Sequence, residues 1–202
     1  MKFTVRDGVF AAFNGLFIGI LVPFVFVNVG VSLPISQTIF AVIITTLSVL
    51  GVFIGALLAH WFSFFFQLAK FGLVGVTNTV IDFGIFNLFI WATGLATGNS
   101  IYLFKIISVS AAIINSYIWN KFWSFNRPAI DEASARKEFT QFLVISLFGL
   151  LLNTGVVSLF VNGIGAPGSM DPKLWANIAN AAASVSVLAW NFVGYKFFVF
   201  KR

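Results

Sequence analysis

The chain has 202 residues, no cysteine and one histidine, His60; 59% of it is hydrophobic, only 9% is charged, the mean hydropathy is +1.00 and the formal net charge is +6. A soluble domain carries about 25% charged residues, so this composition excludes a soluble globular protein, and its apolar content excludes a disordered one. The lack of cysteine and the single histidine exclude thiol chemistry, disulfides and metal centres built from Cys or His clusters.

What remains is an all-α polytopic membrane protein, because the apolar runs are continuous and do not alternate as barrel strands do. In chain order the predicted spans are Val9–Val29, Thr38–Ala59, Phe71–Thr93, Ile101–Trp119, Phe142–Ile164 and Leu174–Val193. Each is about 20 residues, the length that crosses roughly 30 Å of hydrocarbon at 1.5 Å per residue. Residues 31–34, 94–98 and 165–172 read as turns from their Pro, Gly and Ser content, and the longest connection is predicted over 120–141. The first apolar run is too long for the core of a signal peptide and has no small-residue cleavage site after it, so it is expected to be a span. Gly15 and Gly19 in the first span, and Gly51, Gly55 and Ala59 in the second, recur every four residues and predict a closely packed hairpin. Pro23 is expected to kink the first span.

Ten of the twelve basic residues lie at the N-terminus, after even-numbered spans or at the C-terminus. Lys173 lies in an opposite loop and Lys105 inside a span. This asymmetry predicts that both termini are cytoplasmic. It explains the net charge without nucleic-acid binding. Trp61, Trp119, Trp123 and Trp190 fall near predicted inner ends, and Trp91 and Trp175 near outer ends, as interfacial aromatic belts require.

The last four spans divide into similar halves, 67–127 and 138–202. Residues 67–90 align without gaps on 138–161, pairing Phe71 with Phe142 and Gly84 with Gly155. The tail Lys121-Phe-Trp-Ser-Phe-Asn-Arg127 matches Lys196-Phe-Phe-Val-Phe-Lys-Arg202 at four of seven positions. Each half holds two spans, so the expected repeat is parallel, about an axis near the membrane normal. A hairpin over 1–66 precedes a four-helix domain over 67–202.

Two groups of residues are candidates for function. Asp82 and Lys105 are ionisable side chains deep within spans, where a charge costs about 2.5–3.5 kcal/mol. Their depths match on adjacent antiparallel helices, which predicts a pair. The repeat places Asn153 opposite Asp82 and Asn180 opposite Lys105, and Asn78 and Asn115 extend the polar set. This pattern serves either a bundle-orienting salt bridge or a polar binding site at mid-membrane. The second group is the paired tails. Lys121, Arg127, Lys196 and Arg202 set cations around Trp123, Phe125 and Phe200, an arrangement suited to a lipid phosphate at headgroup level with its chain against the aromatic rings. A plain cytoplasmic flank explains the charge but not the repeated spacing. No nucleophile–His pair, paired carboxylates or phosphate-cradling loop is visible, so an enzyme, a cofactor and a metal are not expected.

Phe71-Gly-Leu-Val-Gly75-Val-Thr-Asn-Thr-Val-Ile-Asp82, then Asn120-Lys-Phe-Trp-Ser-Phe125, then a second half closing on Asn191-Phe-Val-Gly-Tyr-Lys-Phe-Phe-Val-Phe200, resembles the GtrA family over about residues 67–202. The resemblance implies a small protein of the bacterial cytoplasmic membrane that flips a polyprenyl-phosphate-linked monosaccharide for cell-surface polysaccharide synthesis or glycosylation. It implies as partners that lipid with its sugar, membrane lipids, a membrane glycosyltransferase and further copies of the chain. Asp82 and Lys121 match polar positions of the family pattern; the N-terminal hairpin departs from it. The alternative is a non-transporting module that anchors or recruits a glycosyltransferase. A proton-coupled exporter using Asp82 fits less well, since Lys105 would hold that carboxylate ionised.

Overall fold

The computed structural model describes residues 2–28, 32–94, 100–126, 131–170 and 172–200. Six α-helices account for most of them: α1 Val5–Asn28, α2 Gln37–Leu58, α3 Phe64–Thr93, α4 Ser100–Trp119, α5 Glu132–Ser158 and α6 Pro172–Gly194. The predicted spans fall on these helices to within a residue at their ends, except that the fifth runs on from α5 through a π-helical turn, Leu159–Ile164, and Val29 lies outside the described residues. Among the described residues three helical stretches, Val5–Val27, Gln37–Leu58 and Phe64–Thr93, are long and apolar enough to cross a membrane.

The local chemistry sets the ends. The Ser36 hydroxyl accepts from the Ile39 N–H and caps α2. Gly94, at φ 68°, closes α3 in the left-handed conformation, its N–H bonded to Ile90 O. Asp131 caps α5 by accepting from the Ser134 N–H at 2.7 Å, and that bond holds its carboxyl below the usual carboxylate range. The cap is therefore intact above the unfolded value of about 3.9 and is lost as pH falls below it. Residues 120–141 are not mainly a connection, contrary to expectation. A π-helical turn spans Asn120–Ser124, and α5 begins at Glu132. The polar first turns of α5 hid its start from a hydropathy reading. α1 continues through Pro23, which is buried.

Two compact units divide the chain, Met1–Asn126 and Arg127–Arg202. In the first, α1 packs on both α2 and α3. The hairpin of residues 1–66 thus shares a core with α3: Ala11, Val52, Ala59, Phe66, Val74 and Trp123 are buried together. The small residues permit this approach. A Cβ on Gly19 would stand 2.6 Å from the Ala41 Cα, and one on Gly55 would collide with the Ala69 methyl. Gly19→Val should therefore push α1 off α2 at a cost of about 1–3 kcal/mol, readable as a lower unfolding midpoint in micelles. Gly51 meets nothing within 4 Å, so Gly51→Ala should not lower that midpoint, the better helix former raising it if anything.

In the second unit, Phe142 stacks on Tyr195 at 4.5 Å, and the Ser146 and Tyr195 hydroxyls lie 2.7 Å apart. The Trp190 indole donates to Ile145 O at 3.0 Å. Its α6 ends in a π-helical turn, Tyr195–Val199, closed by Phe200 N–H to Tyr195 O. The first unit closes the same way, with Phe125 N–H bonded to Asn120 O. The two tails matched in sequence thus carry the same break in helical geometry at the same position.

Candidate functional site

The helices of the first unit expose large apolar side chains and bury several polar ones within an apolar core. Val9, Phe13, Leu16 and Ile20 form an exposed stripe on α1, whereas Asp7 and Asn14 are buried. The buried face of α3 likewise carries Lys70, Thr77 and Asn87. Water would favour the reverse arrangement; hydrocarbon favours this one.

A ladder of polar pairs joins the helices, buried at Ser108, Thr77 and Asn14 and half-buried at Asp82, Asn78 and Asn115. The Ser108 hydroxyl donates to Asp82 Oδ1 at 2.6 Å, joining α4 to α3. One turn along α3 and two along α4, Asn115 Nδ2 donates to Asn78 Oδ1 at 2.7 Å. On the α1 side, the Thr77 hydroxyl donates to Asn14 Oδ1 at 2.8 Å, with Asn14 fully buried. Sequence placed Asp82, Asn78 and Asn115 in one polar set, and the structure brings Asn78 onto Asn115. It adds Ser108, Thr77 and Asn14, small or amide side chains that a search for ionisable residues passes over. The side chains of Lys105, Asn153 and Asn180 lie outside the described residues.

At the other end of α4, the first tail folds inward. Lys121 is buried and donates to the Tyr117 hydroxyl at 3.0 Å. Trp123 is only 2% exposed, and its indole N–H donates to Asp7 Oδ1 at 3.1 Å. Phe125 packs against Phe71 at 6.1 Å, and Phe200 against Tyr195 at 6.4 Å; both are buried. Trp123, Phe125 and Phe200 therefore spend their ring faces on protein and do not offer them to a lipid chain, as the sequence had suggested. Phe122, Phe197 and Phe198 are the exposed rings of the two tails. Lys196 stays partly exposed, its Nζ 5.4 Å from the Phe192 ring. Arg127 and Arg202 lie outside the described residues. Within the first π-helical turn, Asn120 Oδ1 and Ser124 Oγ are buried acceptors with no hydrogen-bond partner among the described residues. Such groups cost about 1–3 kcal/mol each, and π-helical turns recur at functional positions.

Sequence reasoning missed the ion pair beneath this tail. Lys70 Nζ meets Asp7 Oδ1 at 2.5 Å, both side chains about nine-tenths buried. The Asp7 Oδ2 accepts from the Thr4 hydroxyl at 2.6 Å and the Thr4 N–H at 3.0 Å. Lys70 also sits 3.8 Å from the Phe66 ring centroid, a cation–π contact. Lys70 counts among the cytoplasmic basic flank, and Asp7 stands out in no motif. The available signal was Asp7 itself, one of six carboxylates in the chain, set among basic residues.

Long apolar helices with exposed apolar faces and polar side chains buried between them define an integral membrane protein. The chain belongs to the GtrA/DPMS transmembrane domain family, which it matches over residues 70–200. Over 134 residues it is 32% identical to the uncharacterized membrane protein YngA of Bacillus subtilis (strain 168), a stretch covering 66% of this chain and 78% of that protein. No solved structure matches it.

Proposed function

We propose that this protein carries a polyprenyl-phosphate-linked monosaccharide across the bacterial cytoplasmic membrane, without chemistry on the substrate. The observation that carries the reading is the polar ladder within a domain of this family: Asp82–Ser108 and Asn78–Asn115 give sugar hydroxyls partners at membrane depth. Lys105, with Asn153 and Asn180 at the corresponding places of the second half, completes the proposed path. Lys121, Arg127, Lys196 and Arg202 are assigned to the lipid phosphate, and the exposed rings of Phe122, Phe197 and Phe198 to the first isoprene units. The matched π-helical turns support a domain of two repeats, 67–127 and 138–202, with the hairpin of 1–66 as an addition.

Liposomes containing the purified protein and a polyprenyl-phosphate sugar provide the test. The sugar lipid should become accessible from both leaflets within minutes. Access confined to the leaflet of addition, in liposomes whose protein is folded, would leave the anchoring of a glycosyltransferase as the better reading. The proposed orientation has six spans and two cytoplasmic termini. A reporter fused after Arg202 should be active in the cytoplasm; activity only on the outer side would reverse the topology.

A further inference from the structure

In the first unit, four donors close on one carboxylate. The Lys70 ammonium and the Trp123 indole N–H reach Asp7 Oδ1, while the Thr4 hydroxyl and N–H reach Oδ2. These groups divide along a boundary drawn by a different observation. Lys70 and Trp123 fall inside residues 70–200, the stretch that matches the family, whereas Thr4 and Asp7 fall outside it. The family domain thus contributes the cation and the ring donor, and the added hairpin contributes the anion.

An ammonium and an indole N–H converging on one oxygen would serve any oxyanion. A phosphate monoester carries more charge than a carboxylate and has three strong acceptor oxygens, so it competes well for the same donors. A further cation is at hand: the Arg6 guanidinium, one residue from Asp7, donates to Phe122 O at 2.7 Å. Thr4 and Asp7 belong to the first turn of α1 and its approach. Helix ends open more readily than their middles, so the carboxylate can leave without unfolding α1.

We propose that Lys70 and Trp123 form a phosphate-binding site in this unit and that Asp7 is its built-in occupant, displaced when a phosphate ester binds. The ligand is a phosphate monoester, either free or as a lipid headgroup. The proposal does not depend on translocation: it stands if the protein binds phosphate esters but moves no sugar, and falls separately.

The test uses the full chain in neutral detergent, titrated with dodecyl phosphate and, in parallel, with inorganic phosphate. Asp7→Asn should bind dodecyl phosphate at least tenfold more tightly than the parent, because Lys70 is left without an anion. Asp7→Asn combined with Lys70→Gln should abolish that gain. A gain with both probes identifies the bare anion as sufficient; a gain with dodecyl phosphate alone identifies a lipid headgroup. If Asp7→Asn does not fold, Thr4→Val loosens the same carboxylate without stranding the lysine and should give a several-fold gain. Unchanged affinity in whichever variant folds overturns the proposal.

Discussion

Replacing Lys70 by Met should destabilise the first unit by about 3–5 kcal/mol, because it leaves the Asp7 carboxylate buried without its cation. The loss should appear as a lower unfolding midpoint in micelles and a reduced level of protein in the membrane. The partnered change, Asp7→Leu with Lys70→Met, removes both charges and should recover most of the stability, since neutral replacement of a buried pair is often tolerated. Because α1 and α3 are held together here, the single variant should also expose the Trp119 and Trp123 indoles, shifting their emission to the red. A Lys70→Met protein as stable as its parent would mean that water reaches the pair.

Asp82 governs the second large effect. Asp82→Asn should lower sugar-lipid translocation at least tenfold, because Ser108 then donates to a neutral amide rather than to a carboxylate, and hydrogen bonds to charged groups are worth about 1.5–3 kcal/mol. Combining it with Lys105→Asn copies the amides of Asn153 and Asn180 and avoids a lone charge in the membrane. The double variant should return to the parent's membrane level while translocation stays low. Full translocation by the double variant would assign both residues to packing. Ser108→Ala, which keeps the charge but removes the donor, should fall between the parent and Asp82→Asn.

The class of fold was legible because hydrocarbon demands long apolar segments, and six of them stand out between short breaks at 31–34, 94–98 and 165–172. The start of α5 was not, because Glu132–Gln141 is helical by capping and propensity while being as polar as a loop. The polar ladder was half legible. Asp82 announces itself by the cost of its charge, whereas Ser108 and Asn14 become visible only once the helices are in contact. The aromatic tails show the limit most clearly. The motif Lys-Phe-x-x-Phe marks two equivalent places, but whether a ring faces lipid or core depends on what packs over it. Trp123 is covered by α1, through Phe10 at 5.9 Å and through Asp7. Phe198, its counterpart in the other half, is 64% exposed. No pattern within either tail distinguishes them.

The paired π-helical turns have a consequence for chain length. A turn closed by a bond five residues back, rather than four, holds one residue more than the α-helix around it. At about 100° per residue, that extra residue sets the angular phase of everything downstream. Phe125 and Phe200 point inward because one residue has been slipped in ahead of each. Straightening either turn into α-helix at the same length would rotate the rest of its tail by about 100° and turn the buried ring toward the outside, whereas deleting Phe122 or Phe197 would leave an ordinary α-turn with the ring still stacked above Asn120 or Tyr195. Relatives that keep this geometry should vary there by substitution and hold the spacing from Phe71 to Phe125, and from Phe142 to Phe200, wherever those rings still meet the core.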